Sequence, residues 1–332
     1  MKTHTTKTSH PDKYSDKKTE YELSIVIPVY NGSESIEFLV TELSKLKIPG
    51  GHEILLINDG SADNSAQICR DLVTHASSIP VVFIDMSRNF GEHNAVMAGL
   101  KQARGAYVIT MDDDLQNPPS EVYRLYEACK NRQHDVVYTF YKEKKHHPLR
   151  NLGSWLANKT AGLMLEKPDG LYLSSFRCLN SFTVRNVVRY SGPYPYVDGL
   201  ITQVTQNIGT LEVEHLPRAS GQSGYTLKKL INLWISISIN FSILPLRITT
   251  MLGILLTIFG FFLTIIVVLD KLTGDTPTGW SSVIAVVLVF SGAQLLMMGV
   301  LGEYIGRVFL SINRKPQYII RSIYESSSEE KE

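Results

Sequence analysis

From Leu23 to Phe140 the chain alternates short, nearly unbroken apolar runs with segments whose apolar residues recur every three or four positions. The first run, Leu23–Tyr30 (LSIVIPVY), reads as a parallel strand buried on both faces. In Ile36–Leu46, the residues Ile36, Leu39, Val40, Leu43 and Leu46 share one helical face. The same reasoning predicts strands at Glu53–Ile57, Val81–Asp85, Ala106–Met111 and Asp135–Phe140. Helices are predicted through Ile68 and Leu72, over Asn94–Ala103, and over Ser120–Lys130. Ser61 or Asp63 can cap the second helix, and Gly105 stops the third. This alternation predicts a doubly wound, mostly parallel α/β sheet. Ligands of such sheets bind beyond the carboxyl ends of the strands. Asn31, Asp59 and Asp112/Asp114 each follow a strand directly, so they are expected to converge on one crevice.

Beyond Phe140 the pattern changes. Tyr141–Arg150 (YKEKKHHPLR) is basic and reads either as a solvated loop or as a clamp for an anion. Leu152–Leu165 is expected to be helical, Leu171–Ser181 and Asn207–His215 to extend the sheet, and Arg218–Tyr225 to be a flexible loop. Leu227–Ile243 carries both a helical apolar face and a period-two stretch. An amphipathic helix in a membrane interface is the preferred reading, because Lys228, Lys229 and Trp234 accompany it; a last strand is the other.

Ile248–Leu269 and Ser281–Gly302 are each 22 residues without a charge, and about 20 apolar residues cross a bilayer. Arg247, Arg307, Arg314, Lys315 and Arg321 flank them on one side, against Lys271 alone in the connecting loop. The positive-inside rule then puts both termini in the cytoplasm. The first twenty residues lack an apolar stretch, so no signal peptide is expected there. The expected organisation is a disordered tail (1–20), an α/β domain (21–226), interfacial helices (227–246), a two-helix transmembrane region (247–310) and a cytoplasmic tail (311–332).

Composition narrows the classes. Thirty-three basic against 32 acidic residues leave a net charge of +1, which excludes a broadly basic nucleic-acid binder. An apolar content of 44% excludes a wholly disordered chain. Cys69, Cys129 and Cys178 are too scattered for a disulfide framework or a Cys-x-x-Cys metal site, and are expected to be small buried hydrophobes.

Asp112-Asp113-Asp114-Leu115-Gln116 is the strongest local chemical signal. Three adjacent carboxylates repel one another unless a cation offsets them, and oxygen-only donors suit Mg²⁺ or Mn²⁺. Alternation along extended chain sends Asp112 and Asp114 one way and Asp113 the other. Asp112, Asp114 and Gln116 are therefore the expected metal ligands.

PVYN at 28–31, NDGSADNS at 58–65, RNFGEHNAVMAG at 88–99 and MDDDLQNPP at 111–119 resemble, in order, the blocks of family-two glycosyltransferases with the nucleotide-sugar-binding type A fold. LPLR at 244–247 and MGVLGEYIGR at 298–307 are similar to the two-span polyprenyl-phosphate glycosyltransferases. That group includes dolichyl-phosphate mannose synthases, bacterial glucosyl carriers of O-antigen modification and the undecaprenyl-phosphate aminoarabinose transferase. The resemblance runs from Leu23 to Tyr318. It implies inverting transfer of a sugar, first among them a UDP-sugar, to polyprenyl phosphate at the cytoplasmic face of a bacterial inner membrane, for a cell-envelope glycan or lipopolysaccharide.

The resemblance further implies nucleotide contacts from Pro28, Tyr30, Asn31, Asp59, Arg88, Asp112 and Asp113, with Mg²⁺ or Mn²⁺ on the diphosphate. Asp112, Asp114 and Arg150 would be catalytic. Lys142, Arg150, Arg177, Arg218 and Ser223 are the acceptor-phosphate candidates. Arg88 reads equally as an internal partner of Asp85 or Asp112. The partners implied are the nucleotide sugar, the polyprenyl phosphate, the bilayer and further copies of the chain, as a homo-oligomer of up to four. Four positions depart from the family: Gly32 replaces the usual Glu, Tyr141 a clamp Arg, Ser175 an acidic residue, and Gly224 a Lys. Two other classes remain open on sequence: a membrane polysaccharide synthase, and a nonenzymatic membrane protein that binds nucleotide sugars.

Overall fold

The computed structural model describes residues 19–75, 79–141, 171–192, 194–214, 216, 244–273, 279–313 and 316–326. The basic loop after Tyr141, the helix expected at 152–165, the loop at 218–225 and the segment 227–243 lie outside these residues, and with them Lys142, Arg150, Arg218 and Ser223. The chain forms two compact units: one of 1–152, 166–224 and 316–332, the other of 153–165 and 225–315.

In the first unit, strands β1 (Tyr21–Val29), β2 (His52–Asn58), β3 (Val81–Met86) and β4 (Gly105–Thr110) alternate with helices α1 (Ile36–Ser44), α2 (Ser65–His75) and α3 (Glu92–Gln102). Helix α4 (Ser120–Asn131) leads to β5 (Val136–Phe140) and β6 (Arg177–Asn180). Then come α5 (Ser181–Val187), α6 (Val197–Val204), β7 (Ile208–Glu212) and, far along the chain, β8 (Ile320–Glu325). The eight strands make one sheet in the order β7-β5-β6-β4-β1-β2-β3-β8. The run β4-β1-β2-β3 is parallel throughout. β6 is antiparallel to both its neighbours, and β8 is antiparallel to β3.

The continuous apolar runs are explained by burial on both faces of the sheet. Leu23, Ile25, Ile27 and Val29 of β1 join Ile36, Leu39 and Leu43 of α1, Cys69 and Val73 of α2, and Val122, Leu125 and Cys129 of α4 in one core. Helix α3 packs on β1 and β2 and buries Ala95 to Leu100. Each fully buried Leu, Ile or Val contributes roughly 1.5–3 kcal/mol. At the amino end of the sheet, buried Glu53 accepts from Ser24 Oγ at 2.6 Å and from Arg104 N and Nε at 2.7 and 2.9 Å. These bonds offset the cost of burying its charge. All three cysteines are free and buried, as expected.

Four elements differ from the sequence expectation. The strand expected at Leu171–Ser181 is only β6: residues 171–176 lie outside any strand, and at the other end Asn180 turns the chain into α5 by accepting the Thr183 N–H at 2.9 Å. Helices α5 and α6 were not anticipated. Within the expected C-terminal tail at 311–332, Ile320–Glu325 forms the unanticipated strand β8. Tyr324 stacks on Phe83 at 5.9 Å, and the Arg70 guanidinium lies over both rings. Covering the β3 edge leaves fewer unpaired backbone groups for wrong partners.

The second unit holds α7 (Leu244–Thr273) and α8 (Trp280–Ile312), helices of 30 and 33 residues. They run antiparallel: Gly253 meets Met297, and Gly260 meets Phe290. Counting the described residues alone, no helix is long and apolar enough to cross a membrane.

Candidate active site at the carboxyl ends of the central strands

The register sets the site. Val29 pairs with Asn58, so β1 and β2 end level, while Thr110 pairs with Val26 and the chain after β4 continues alongside the end of β1. This is where strand order reverses, the place where open α/β sheets bind ligands. Asn31, Asp59 and Asp112–Asp114 all sit at this edge, as the sequence predicts.

Asn31 links two of the loops. With φ of 54°, it donates its N–H to Ser61 Oγ at 3.0 Å and accepts the Ala62 N–H at 2.9 Å. Beside it the Tyr30 ring is 54% exposed, a free aromatic face at the crevice, and Pro28 is half-buried.

Asp59 is the residue expected to contact a base or ribose. It is buried, and its two oxygens accept the Phe90 and Gly91 N–H groups at 2.7 and 2.9 Å. Burial raises its carboxyl, and those two backbone donors offset only part of the rise. Asp59 thus fixes the loop 88–91, which lies against Gly60. With φ of 66°, Gly60 leaves no room for a Cβ, which would stand 2.5 Å from Asn89 N. Arg88 does not pair with Asp85, which accepts from Asn58 at 2.8 Å with Arg70 at 3.7 Å; its guanidinium lies 4.7 Å over the Phe90 ring.

The carboxylates after β4 point as alternation requires. Asp112 turns toward β6 and accepts the Ser175 Oγ–H at 2.7 Å. Asp113 turns toward β1, where the Tyr30 N–H is its backbone donor. Asp114 accepts the Gln116 N–H at 3.1 Å. Burial, followed by the charges of Asp112 and Asp114, pushes Asp113 up to about 7. Its Oδ2 is buried with no hydrogen-bond partner among the described residues. A Cβ on Gly32 would lie 2.1 Å from that oxygen. The departure at Gly32 is thereby explained: its missing side chain is the space Asp113 occupies.

Sequence reasoning passed over Glu92 and His93, although both stand in the RNFGEHNAVMAG block. Glu92 opens α3, exposed to solvent yet ringed by protein. The protein packed around it, and then the Asp112 charge, raise its carboxyl. With Asp112 and Asp114 it makes an acidic crevice wall, whose oxygen donors fit a hard divalent cation. Among the described residues no group of three or more His, Cys, Asp or Glu side chains is gathered closely enough to form a cage by itself.

Arg177 is corrected from its expected role as an acceptor clamp. It is buried, and its guanidinium pairs with Asp198 of α6, which also accepts from Tyr138 at 2.9 Å. The pair ties β6 to α6 and does not present a cation to solvent. Tyr141 donates to Asn117 at 2.8 Å and meets the Tyr172 ring edge-on.

The His93 ring meets Tyr196 edge-on at 5.0 Å, and burial lowers its pKa to about 4. The folded value lies below the unfolded value of about 6.5. His93 therefore contributes stability that is complete above pH 6.5 and lost as the pH falls toward 4. The expected result is that wild type is more stable than His93→Gln at pH 7.5, with the gap closing between pH 6.5 and 4. Thermal melts across that range check it; a gap independent of pH contradicts it.

A mostly parallel sheet with acidic side chains grouped where its strand order reverses has the build of a ligand-binding α/β enzyme. The statistical model of glycosyl transferase family 2 matches residues 24–184. An undecaprenyl-phosphate 4-deoxy-4-formamido-L-arabinose transferase of Edwardsiella ictaluri is 33% identical over 327 residues, covering 96% of this chain and 99% of that protein. Its counterpart in Aeromonas hydrophila is 33% identical over 315 residues, covering 92% and 95%. Among solved structures, glucosyl-3-phosphoglycerate synthase from Mycobacterium tuberculosis superposes with a TM-score of 0.48 and 15% identity, covering 71% of this chain and 84% of that one. The chain belongs to glycosyl transferase family 2, and it is a glycosyltransferase.

Proposed function

We propose that this glycosyltransferase moves a sugar from a nucleoside diphosphate, UDP first among the candidates, to a polyprenyl phosphate at the cytoplasmic face of a bacterial inner membrane. The observation that carries the reading is the acidic edge formed by Asp112, Asp113, Asp114 and Glu92 where β1, β2 and β4 end. The likeness over nearly the whole chain to undecaprenyl-phosphate transferases supports undecaprenyl phosphate as acceptor. Their formamido-arabinose is the first sugar to test.

The chemistry follows from the acceptor. A phosphate monoester has its second pKa near ~6, so it is mostly dianionic at neutral pH and needs no general base. Direct attack by its oxygen on the anomeric carbon inverts that centre and expels the nucleoside diphosphate. Mg²⁺ or Mn²⁺, bound by Asp112 and Asp114 with Gln116 adjacent, would offset charge on the leaving diphosphate. Ser175 orients Asp112 through its 2.7 Å hydrogen bond. Tyr30 offers its exposed ring to the base, and Asn31 and Asp59 hold the loops on either side. The basic residues Lys142, Arg150, Arg218 and Ser223's loop remain the proposed acceptor side, with Arg150 as phosphate clamp. An Arg fork holds two phosphate oxygens at once.

In this reading α7 and α8 serve as membrane spans: their described residues alone do not meet the length and apolarity needed, and the proposal rests on the uncharged 22-residue runs 248–269 and 281–302 of the full sequence. At 1.5 Å per residue the two helices are roughly 45 and 50 Å long, against a hydrocarbon core of about 30 Å. Met251, Phe261, Phe262, Leu295 and Phe309 are each more than 60% exposed on them, a surface suited to lipid. With the native cysteines buried, a cysteine placed at Thr276 should react with an impermeant thiol reagent from outside the cell, and one at Ser328 only after permeabilisation. The opposite pattern would reverse the orientation.

The function is tested by incubating the full chain in detergent with a panel of labelled nucleotide sugars and undecaprenyl phosphate. Label should move into the organic phase with at least one UDP-sugar. Transfer to a soluble acceptor, with none to the lipid, would overturn the acceptor assignment.

A further inference from the structure

The C-terminal segment after α8 in sequence touches both borders of the crevice. Ile319 O accepts the Ser87 N–H at 2.9 Å, and Arg321 Nη2 donates to Ser87 O at 3.0 Å. Ser87 immediately precedes the Arg88–Gly91 loop, whose Phe90 and Gly91 N–H groups hold Asp59 and whose end starts α3 with Glu92 and His93. Ser87 is thus gripped from both its N–H and its C=O by residues more than 230 positions later. Gln317 Nε2 donates to Tyr190 O at 3.0 Å and Gly192 O at 2.7 Å. That turn leads into α6, where Tyr196 meets His93 and Asp198 holds Arg177. The rest of the strand is anchored away from the crevice: Ser326 exchanges two hydrogen bonds with Val81, and Glu325 pairs with Arg104 at 3.4 Å.

We propose that Gln317–Ser326 is a positioning strap for the sugar-nucleotide crevice, with Arg321 and Gln317 as its two working contacts. Arg321 orients the peptide between Ser87 and Arg88, and so the pair of N–H groups that reach Asp59. The strand itself is secured by its pairing with β3, so losing the Arg321 contact loosens the loop and not the sheet. The fold places a bulge between Asp85 and Met86, where the ladder would otherwise continue, and the two Ser87 contacts take over from it. Neither residue touches substrate in this role.

The inference rests on the reading of the crevice as the donor site, and its test separates the two. Arg321→Met removes the donor and keeps the bulk of the side chain. Amide exchange at Phe90 and Gly91 should rise at least about tenfold, with the β1 and β2 amides unchanged and the melting temperature within about two degrees. The KM for the nucleotide sugar should rise several-fold with kcat nearly constant. Arg321→Lys should recover part of both effects. Both should persist at about 1 M salt, where exposed charges are screened beyond roughly 3 Å. Gln317→Ala should raise exchange in the 196–199 amides and leave those of Phe90 and Gly91 protected. Unchanged exchange at Phe90 and Gly91 in Arg321→Met overturns the strap, whatever the activity. An effect that vanishes in high salt also overturns it, by showing that the charge acts at a distance. Wild-type protein that binds no nucleotide, while the exchange differences appear, instead overturns the donor-site reading.

Discussion

Asp114→Asn is expected to lower sugar transfer by about a hundred- to a thousandfold while the protein remains folded. Removing one electrostatic partner of a developing charge typically costs that much. Asp114 is exposed enough to reach a ligand, and the hydrogen bond to its Oδ1 comes from the nearby Gln116 N–H, which an amide oxygen can also accept. The fold therefore loses little. Asp112→Asn should behave similarly, with some disturbance of Ser175. Asp113→Asn should keep most of the activity, because its side chain turns to Gly32 and the end of β1. Initial rates at saturating Mn²⁺ and melts of the three variants check the order. Equal losses in all three would show that the triplet acts through its summed charge and not through two aimed ligands.

The second large effect belongs to Gly32. A methyl group there would stand 2.1 Å from Asp113 Oδ2 and 2.9 Å from its Cγ. The Asp113 carboxyl has nowhere neutral to go, since Asp112 and Asp114 flank it. Overpacking of this kind costs about 1–3 kcal/mol. The damage also reaches α1, because Gly32 O accepts from Ser35 N and Ile36 N, and its own N–H reaches Ser65 at 2.9 Å. Gly32→Ala should therefore destabilise the protein by that amount and lower activity at least about tenfold. Asp113→Ala removes the clashing atoms, so the double variant should regain most of the stability lost by Gly32→Ala. Chemical denaturation of the two single variants and the double gives the coupling directly. Additive losses would mean that residues 32 and 113 do not share one space.

The parallel half of the sheet was legible because its signal is local. β1 to β4 and α1 to α4 are continuous apolar runs alternating with one-sided helices, and each lies within two or three residues of its expected place. The acidic strand ends were legible for the same reason: chain order alone brings Asn31, Asp59 and Asp112 to one edge. What was not legible depends on distant pairing. β8 carries the weak alternation IRSIYE and becomes a strand only because β3 offers an edge. Arg177 reads as a free cation until Asp198 is brought against it by α6. The two backbone bonds that Asp59 accepts from the loop after β3 also depend on distant pairing. Glu92 carried one available signal, an acidic residue at the start of a helix within a recognised block. The Gly32 departure could not be read without knowing that Asp113 points into its place.

The central claim is that the carboxyl edge of β1, β2 and β4 holds a nucleoside diphosphate through a divalent cation. Calorimetric titration of UDP into the full chain, with Mn²⁺ present and with Mn²⁺ removed by chelation, tests it most directly. Binding at least about tenfold tighter with Mn²⁺, and a loss of that gain in Asp114→Asn, is the predicted result. Equal UDP affinity in chelated and Mn²⁺-containing buffer, unchanged by Asp114→Asn, would contradict it.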